Sequence, residues 1–258
     1  MVPELNVRFE AILDIKKYTG KLPVIDTDRA DLELYLNPRG KSNDSLDRNI
    51  WPNFKNDFSA ILNEKFYYGN INGWSLDEYG ASYLKVSQGA AITLPNYKPY
   101  RSDAMGSGGQ GLTIELDFKL NSVTDYQKSL ISCVSRDLNG NIVAGFDITG
   151  DKAYLYTSIK NTITGNPVTL NMVEGQRIKL TYVIEKSDKE FPLILTYLNG
   201  IISNVSTYTK DAEHFVDAGA DGSTPGTLVI DSQYGEIDFY GIRIYASALD
   251  QATVLGNY

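Results

Sequence analysis

Two carboxyls on one face of a strand could do acid–base chemistry, and this chain has such a pair. Glu236 and Asp238 stand two residues apart in Gly235-Glu236-Ile237-Asp238-Phe239-Tyr240. Strand alternation aims both at the same side. Retaining glycoside hydrolysis uses two carboxyls about 5 Å apart, one as nucleophile and one as acid. The position that would complete the set holds Tyr240 or Gly241. The acid pair is therefore incomplete, no catalytic residue is assigned, and the chain is expected not to be an enzyme. A glycoside hydrolase is the rival reading.

Sugar binding asks for a different pattern. Flat C–H faces pack on aromatic rings, while Asn, Asp and Arg side chains hydrogen-bond the hydroxyls. Two segments carry this mixture. One runs from Asn49 to Asn53 around Trp51 and continues into Tyr67, Tyr68 and Trp74. The other runs from Tyr97 to Asp103. The expected ligand-binding residues are Trp51, Trp74, Tyr97, Tyr100, Arg101 and Asp103, since a sandwich puts such side chains on the loops at its ends or on its concave face. Burial is the competing reading, because Trp and Tyr also pack cores and strands.

Other patterns carry less. Gly106-Ser107-Gly108-Gly109-Gln110-Gly111 spells G-x-G-x-x-G, but a dinucleotide loop must open a helix, whose N-terminus holds the pyrophosphate. The segment that follows, from Leu112, reads as a strand. The one histidine, His214, lies among Asp211, Glu213 and Asp217, in a loop expected to be solvated. The one cysteine, Cys133, rules out an intrachain disulfide and is expected as a small core residue. Asn43, Asp44 and Asp47 lack the spacing of an EF-hand loop. No cofactor is expected; a structural calcium ion is the one metal left open. Asn43-Asp44-Ser45 and Asn204-Val205-Ser206 match the glycosylation sequon, with no secretory signal before them.

Strands must position any of these residues. Leu112, Ile114, Leu116, Phe118 and Leu120 alternate strictly with Thr113, Glu115, Asp117 and Lys119. Leu32 to Leu36 and Ile178 to Ile184 repeat the pattern. Leu193 to Leu198 is apolar on both faces, as a strand covered on both sides would be. Asn139-Gly140-Asn141 separates strands at Leu130 to Val134 and Ile142 to Ile148. Thr149-Gly150-Asp151-Lys152 leads into Ala153 to Ser158, and Asn199-Gly200 precedes Ile201-Ile202. Helical spacing is confined to Leu249 to Tyr258 and to a turn or two within Asn56 to Lys65. Asn96 to Gly111 and Asp211 to Gly226 read as long loops. With 18 Tyr, 22 Gly and 9 Pro, these runs predict an all-β antiparallel sandwich.

Charge narrows the partners. Lys and Arg number 24 against 32 Asp and Glu, a net charge of −8, so no basic surface is implied and no nucleic acid is expected. No apolar run approaches the roughly 18 residues of a membrane span, so no membrane association is expected.

The C-terminal run Ile237-Asp238-Phe239-Tyr240-Gly241-Ile242-Arg243-Ile244-Tyr245-Ala246-Ser247-Ala248-Leu249 resembles the closing strand of laminin-G-like, concanavalin A-like jelly rolls. Leu32 to Asn37, Ser42-Asn43-Asp44, Gly73-Trp74, Tyr83 to Val86 and Ala91 to Pro95 are similar to that fold's first strands. Gly111 to Leu120 and Leu198-Asn199-Gly200 are similar to a later strand and hairpin. The resemblance implies an N-terminal extension or linker at residues 1–30 and a jelly-roll domain at residues 31–258. Within the family, the run looks most like those of bacteriophage tail and baseplate proteins. It thus implies a virion structural module, or one that binds a host-surface glycan, working among other virion proteins as a homo-oligomer. A bacterial surface adhesin or polysaccharide-binding module, extracellular or on the cell surface, is the alternative. The family's calcium-binding Asp falls here on Tyr240.

Overall fold

A strand with alternating apolar residues must bury one face, and two such sheets can bury theirs against each other. The computed structural model describes residues 28–69, 71–87, 89–97, 99, 110–125, 129–136, 142–150, 155–159, 168–170, 174–185, 193–207, 227–232 and 234–258. Its described residues are nearly all β: two antiparallel sheets form a concanavalin A-like jelly-roll sandwich.

The strands are β1 (Leu32–Leu36), β2 (Ile50–Pro52), β3 (Ser59–Leu62), β4 (Gly73–Leu76), β5 (Ser82–Val86), β6 (Ala91–Pro95), β7 (Leu112–Val123) and β8 (Ser129–Arg136). They continue with β9 (Ile142–Gly150), β10 (Leu155–Ile159), β11 (Val168–Leu170), β12 (Arg177–Ile184), β13 (Leu193–Leu198), β14 (Ile201–Thr207), β15 (Thr227–Asp231) and β16 (Gly235–Tyr245). One short helix, α1 (Gln251–Gly256), follows; Asp250 caps it by accepting from the Thr253 amide at 2.8 Å. The first sheet runs β14-β13-β12-β7-β16-β5-β4, with β1 also pairing β16. The second runs β11-β10-β9-β8-β15-β6-β3-β2.

The alternation of Leu112 to Leu120 is realised in the register. Leu116 of β7 pairs Leu180 on one side and Ile242 on the other, and all three enter the core between the sheets. That core takes Leu84, Phe118, Ile178 and Phe239 from the first sheet, and Trp51, Ile92, Cys133 and Ile230 from the second. A smaller cluster lies on the far side of the first sheet. There Leu32, Val183, Tyr197 and Tyr245 meet Leu249 and Val254 beneath α1. Tyr197 therefore makes β13 apolar on both faces.

The hairpin expected at Asn199-Gly200 joins β13 to β14, with φ of 53° and 75°, the left-handed pair that such a turn requires. Strands β8 and β9 pair as expected around the Asn139-Gly140 step, and β9 pairs β10. The helical turn expected within Asn56 to Lys65 is corrected. Ser59–Leu62 is β3, because Ile61 and Leu62 pair Thr93 and Ile92 and the sheet buries Ala60 and Leu62. Gly111 closes the G-x-G-x-x-G run for a steric reason. Its φ is +93°, and an added Cβ would sit 2.6 Å from the Ile184 carbonyl oxygen. Residues 1–27, His214 and the expected loop at Asp211 to Gly226 lie outside the described residues.

Candidate functional site

Both tryptophans expected to hold a ligand are in the core. Trp51 is 0% exposed on β2, and its ring meets Trp74 edge to face at 5.5 Å and 86°. Trp74 on β4 is 4% exposed, and its Nε1 donates to the Arg48 carbonyl at 2.8 Å. Neither ring has a face open to a sugar; sheet pairing on β2 and β4 turns both inward. Tyr97 is also buried, stacked on Phe58 at 5.1 Å, with its hydroxyl donating to Glu33 Oε2 at 3.1 Å. Tyr100, Arg101 and Asp103 lie outside the described residues. On the same loops, Tyr67 is exposed and Tyr68 holds a φ of 37° beneath the Arg48 guanidinium, 4.8 Å from its ring.

The structure gathers a different set on the outer face of the first sheet. If Leu112, Ile114, Leu116 and Phe118 point inward, Thr113, Glu115, Asp117 and Lys119 must point outward. Strand β12 adds Arg177 and Lys179, and β16 adds Glu236, Asp238, Tyr240 and Arg243. The β16 contribution depends on a bulge. Phe239 pairs Phe118 and Gly241 pairs Asp117, so Tyr240 is the extra residue. The bulge lets Phe239 and Ile242 both face the core while Tyr240 turns outward.

This face has two halves. Toward α1 it is closed. Arg243 Nε lies 2.7 Å from Glu115 Oε2, with their side chains 6% and 1% exposed. Asn257 joins that pair: its Nδ2 donates to Glu115 Oε1 at 3.2 Å, and its carbonyl accepts from Arg243 Nη2 at 3.3 Å and from Lys179 Nζ. Burial, with Arg243 nearby, pulls the Lys179 ammonium down to about 8.

The other half is partly open. Arg177 forks onto Asp117 through two hydrogen bonds of 2.8 Å. Its guanidinium also lies 3.8 Å from the centre of the Tyr240 ring. Tyr240 meets the half-buried Tyr83 of β5 at 5.5 Å and 45°. Burial raises the Tyr240 phenol well above its ordinary value, and the carboxylates of Asp77 and Asp238 raise it further. Tyr79 stands almost fully exposed in the turn beyond Asp77. Tyr240 itself is 6% exposed, so solvent reaches the edge of this half through Tyr83, Arg177 and Asp117.

Glu236 and Asp238 do share this face, as alternation requires, but each faces a lysine. Lys85 Nζ lies 3.1 Å from Glu236 Oε2, and Lys119 Nζ lies 3.5 Å from Asp238 Oδ2. Desolvation raises the Asp238 carboxyl above its ordinary range, with Asn121 and the two lysines pulling the other way. The position of a completing acid is filled by the Tyr240 ring, under Arg177. Among the described residues no three His, Cys, Asp or Glu side chains gather as a metal centre. Asn43 accepts from the Trp74 amide at 2.8 Å, and Asp47 pairs with Lys41 at 2.8 Å.

Tyr83, Arg177 and Asp117 were missed as site residues, although the signal was present. The alternation that marks a core face also marks the polar residues opposite it. What the pattern lacks is any sign that Arg177 meets Asp117 from 60 residues away.

No known protein-family profile matches the chain, and no curated protein matches it in sequence. Solved structures do match its fold. It is similar to the binding domain of botulinum neurotoxin DC in complex with rat synaptotagmin II, at 10% identity and a TM-score of 0.55, over 89% of this chain and 51% of that one. The same neurotoxin's binding domain in complex with SialylT gives 11% identity and a TM-score of 0.53, over 88% and 50%. Trypanosoma rangeli sialidase in complex with sialic acid gives 10% identity and a TM-score of 0.56, over 98% and 38%. The chain thus spans about half the length of the neurotoxin chains and less of the sialidase. At these identities the likeness shows the fold alone.

Proposed function

We propose that the chain is a non-enzymatic carbohydrate-binding sandwich domain, carried on a bacteriophage tail or baseplate and directed at a host-surface glycan. The observation that carries the binding reading is the half-buried Tyr83 ring, backed by the buried Tyr240, beside the Arg177–Asp117 fork on the partly open half of the first sheet. A sugar's C–H face packs on the half-buried Tyr83 ring, which the buried Tyr240 backs, and its hydroxyls hydrogen-bond to the fork. Opposite charges alternate over this face, which favours a neutral glycan over a strongly anionic one. The Tyr240 ring at the position of a completing acid supports a binding role, because a retaining mechanism needs a second carboxyl set about 5 Å across the cleft from the first. Structural neighbours of the fold were solved with SialylT and with sialic acid, which agrees with a carbohydrate ligand. The virion setting rests on the C-terminal run from Ile237 to Leu249.

Binding of purified host cell-wall polysaccharide, read by calorimetry, tests the site. Tyr83→Ala and Arg177→Ala are each expected to weaken it about tenfold or more while leaving a folded, all-β protein. Full binding by both variants, with loss in Tyr100→Ala or Arg101→Ala, moves the site to the loop at Tyr97 to Asp103. No binding to any surface glycan overturns the reading.

A further inference from the structure

We propose that β14 is the edge through which this chain pairs, antiparallel, with a second copy of itself. β14 ends the first sheet. β13 occupies one of its edges, and among the described residues nothing pairs with the other. Such an edge presents a row of unpaired N–H and C=O groups, which sandwiches usually shield with short strands, charges or proline. The other strands that end a sheet's order are short: β4 has four residues, and β2 and β11 have three each. β14 has seven, Ile201-Ile202-Ser203-Asn204-Val205-Ser206-Thr207, with no charge and no proline.

Its side chains agree with its backbone. Ile201, Ile202 and Val205 are all exposed. Val205 pairs Leu195 and Ile202 pairs Tyr197, so both lie on the outer face, which α1 covers in part. Leu255 and Tyr258, exposed at the end of α1, lie against Gly200 at the tip of the β13–β14 hairpin. The apolar strip therefore continues from the strand onto the helix.

Charge selects the occupant. A chain of net charge −8 repels its own copy, and β14 itself carries none of that charge. It also offers no charge by which a different protein could be steered or discriminated. Two copies of one strand, related by a two-fold axis perpendicular to the sheet, satisfy each other's open hydrogen-bonding groups without any charge complementarity. That axis leaves the outer faces of both copies on the same side. On the glycan-binding reading above, two Tyr83–Arg177 sites would then address one surface together, raising avidity without a new contact.

Sedimentation velocity on the full chain, from about 1 to about 500 µM, reads the pairing. The wild type is expected to pass from monomer to dimer within that range. Val205→Lys and Val205→Glu, at an exposed position, are each expected to keep the far-ultraviolet circular dichroism and melting temperature but shift the midpoint about tenfold or more to higher concentration. An equimolar mixture of the two variants is expected to recover the dimer, because opposite charges then meet across the axis. A wild type that stays monomeric throughout overturns the proposal, as does a dimer that both variants form unchanged. A mixture no tighter than either variant alone overturns the antiparallel pairing.

Discussion

Replacing Glu115 by Gln tests the closed half of the outer face. The change keeps the shape of the side chain and removes one charge. Arg243 loses its partner at 2.7 Å while its side chain stays 6% exposed, and Lys179 loses the anion that most supports its charge. The Asn257 carbonyl, which already accepts from both cations, and the amide oxygen of the new Gln are uncharged acceptors and do not replace the lost anion. Removing one member of a buried ion pair costs about 3–5 kcal/mol, because the other is left as an uncompensated buried charge. For a domain of this size, that corresponds to a fall in melting temperature of about 6–20 °C. Urea denaturation at pH 7 measures the loss. Glu115→Gln combined with Arg243→Met removes both charges and is expected to be more stable than the sum of the single changes predicts, by about 2 kcal/mol. A single-variant loss under about 1 kcal/mol would mean that the pair behaves as a solvated surface bridge, and strict additivity would mean that Glu115 and Arg243 do not act as a unit. Either result refutes the argument.

Two further predictions concern the same fold. Burial holds the Lys179 pKa at about 8 against its ordinary 10.5, so between those values the unfolded chain binds the extra proton and stability rises with pH. Burial, aided by Glu115, pushes Tyr245 up to about 12 against an ordinary 10.0, so above pH 10 the unfolded phenol ionises first and stability falls. Unfolding free energies measured from pH 7 to 11 should therefore climb above pH 8 and turn down above pH 10. Lys179→Met should flatten the climb, and an unchanged slope in that variant would exclude Lys179 as its source. In the core, Trp51→Ala should cost about 3–5 kcal/mol in a denaturant titration, whereas Tyr67→Ala on the exposed loop should cost little. Comparable losses from the two would contradict the burial of Trp51.

Local chemistry determined much of this protein from the sequence alone. The alternation of Leu112 to Leu120 is the strand itself, since a period of two suits a sheet with one buried face. Asn199-Gly200 is a hairpin turn because these residues tolerate the left-handed backbone it needs. The helical spacing within Leu249 to Tyr258 becomes α1. The tertiary structure decided what lies against each face. Trp51 and Tyr83 are both aromatic residues on short strands, and sequence pattern does not say which is sealed between the sheets and which borders solvent. Pairing with β6 makes Ser59–Leu62 a strand despite the polar residues around it. The bulge at Tyr240 has no local signature; it arises because Phe239 and Ile242 must both reach the core. Arg177 finds Asp117, and Arg243 finds Glu115, because sheet register brings distant strands side by side. Periodicity specifies a direction for each side chain, and only the packed sheets specify what it meets.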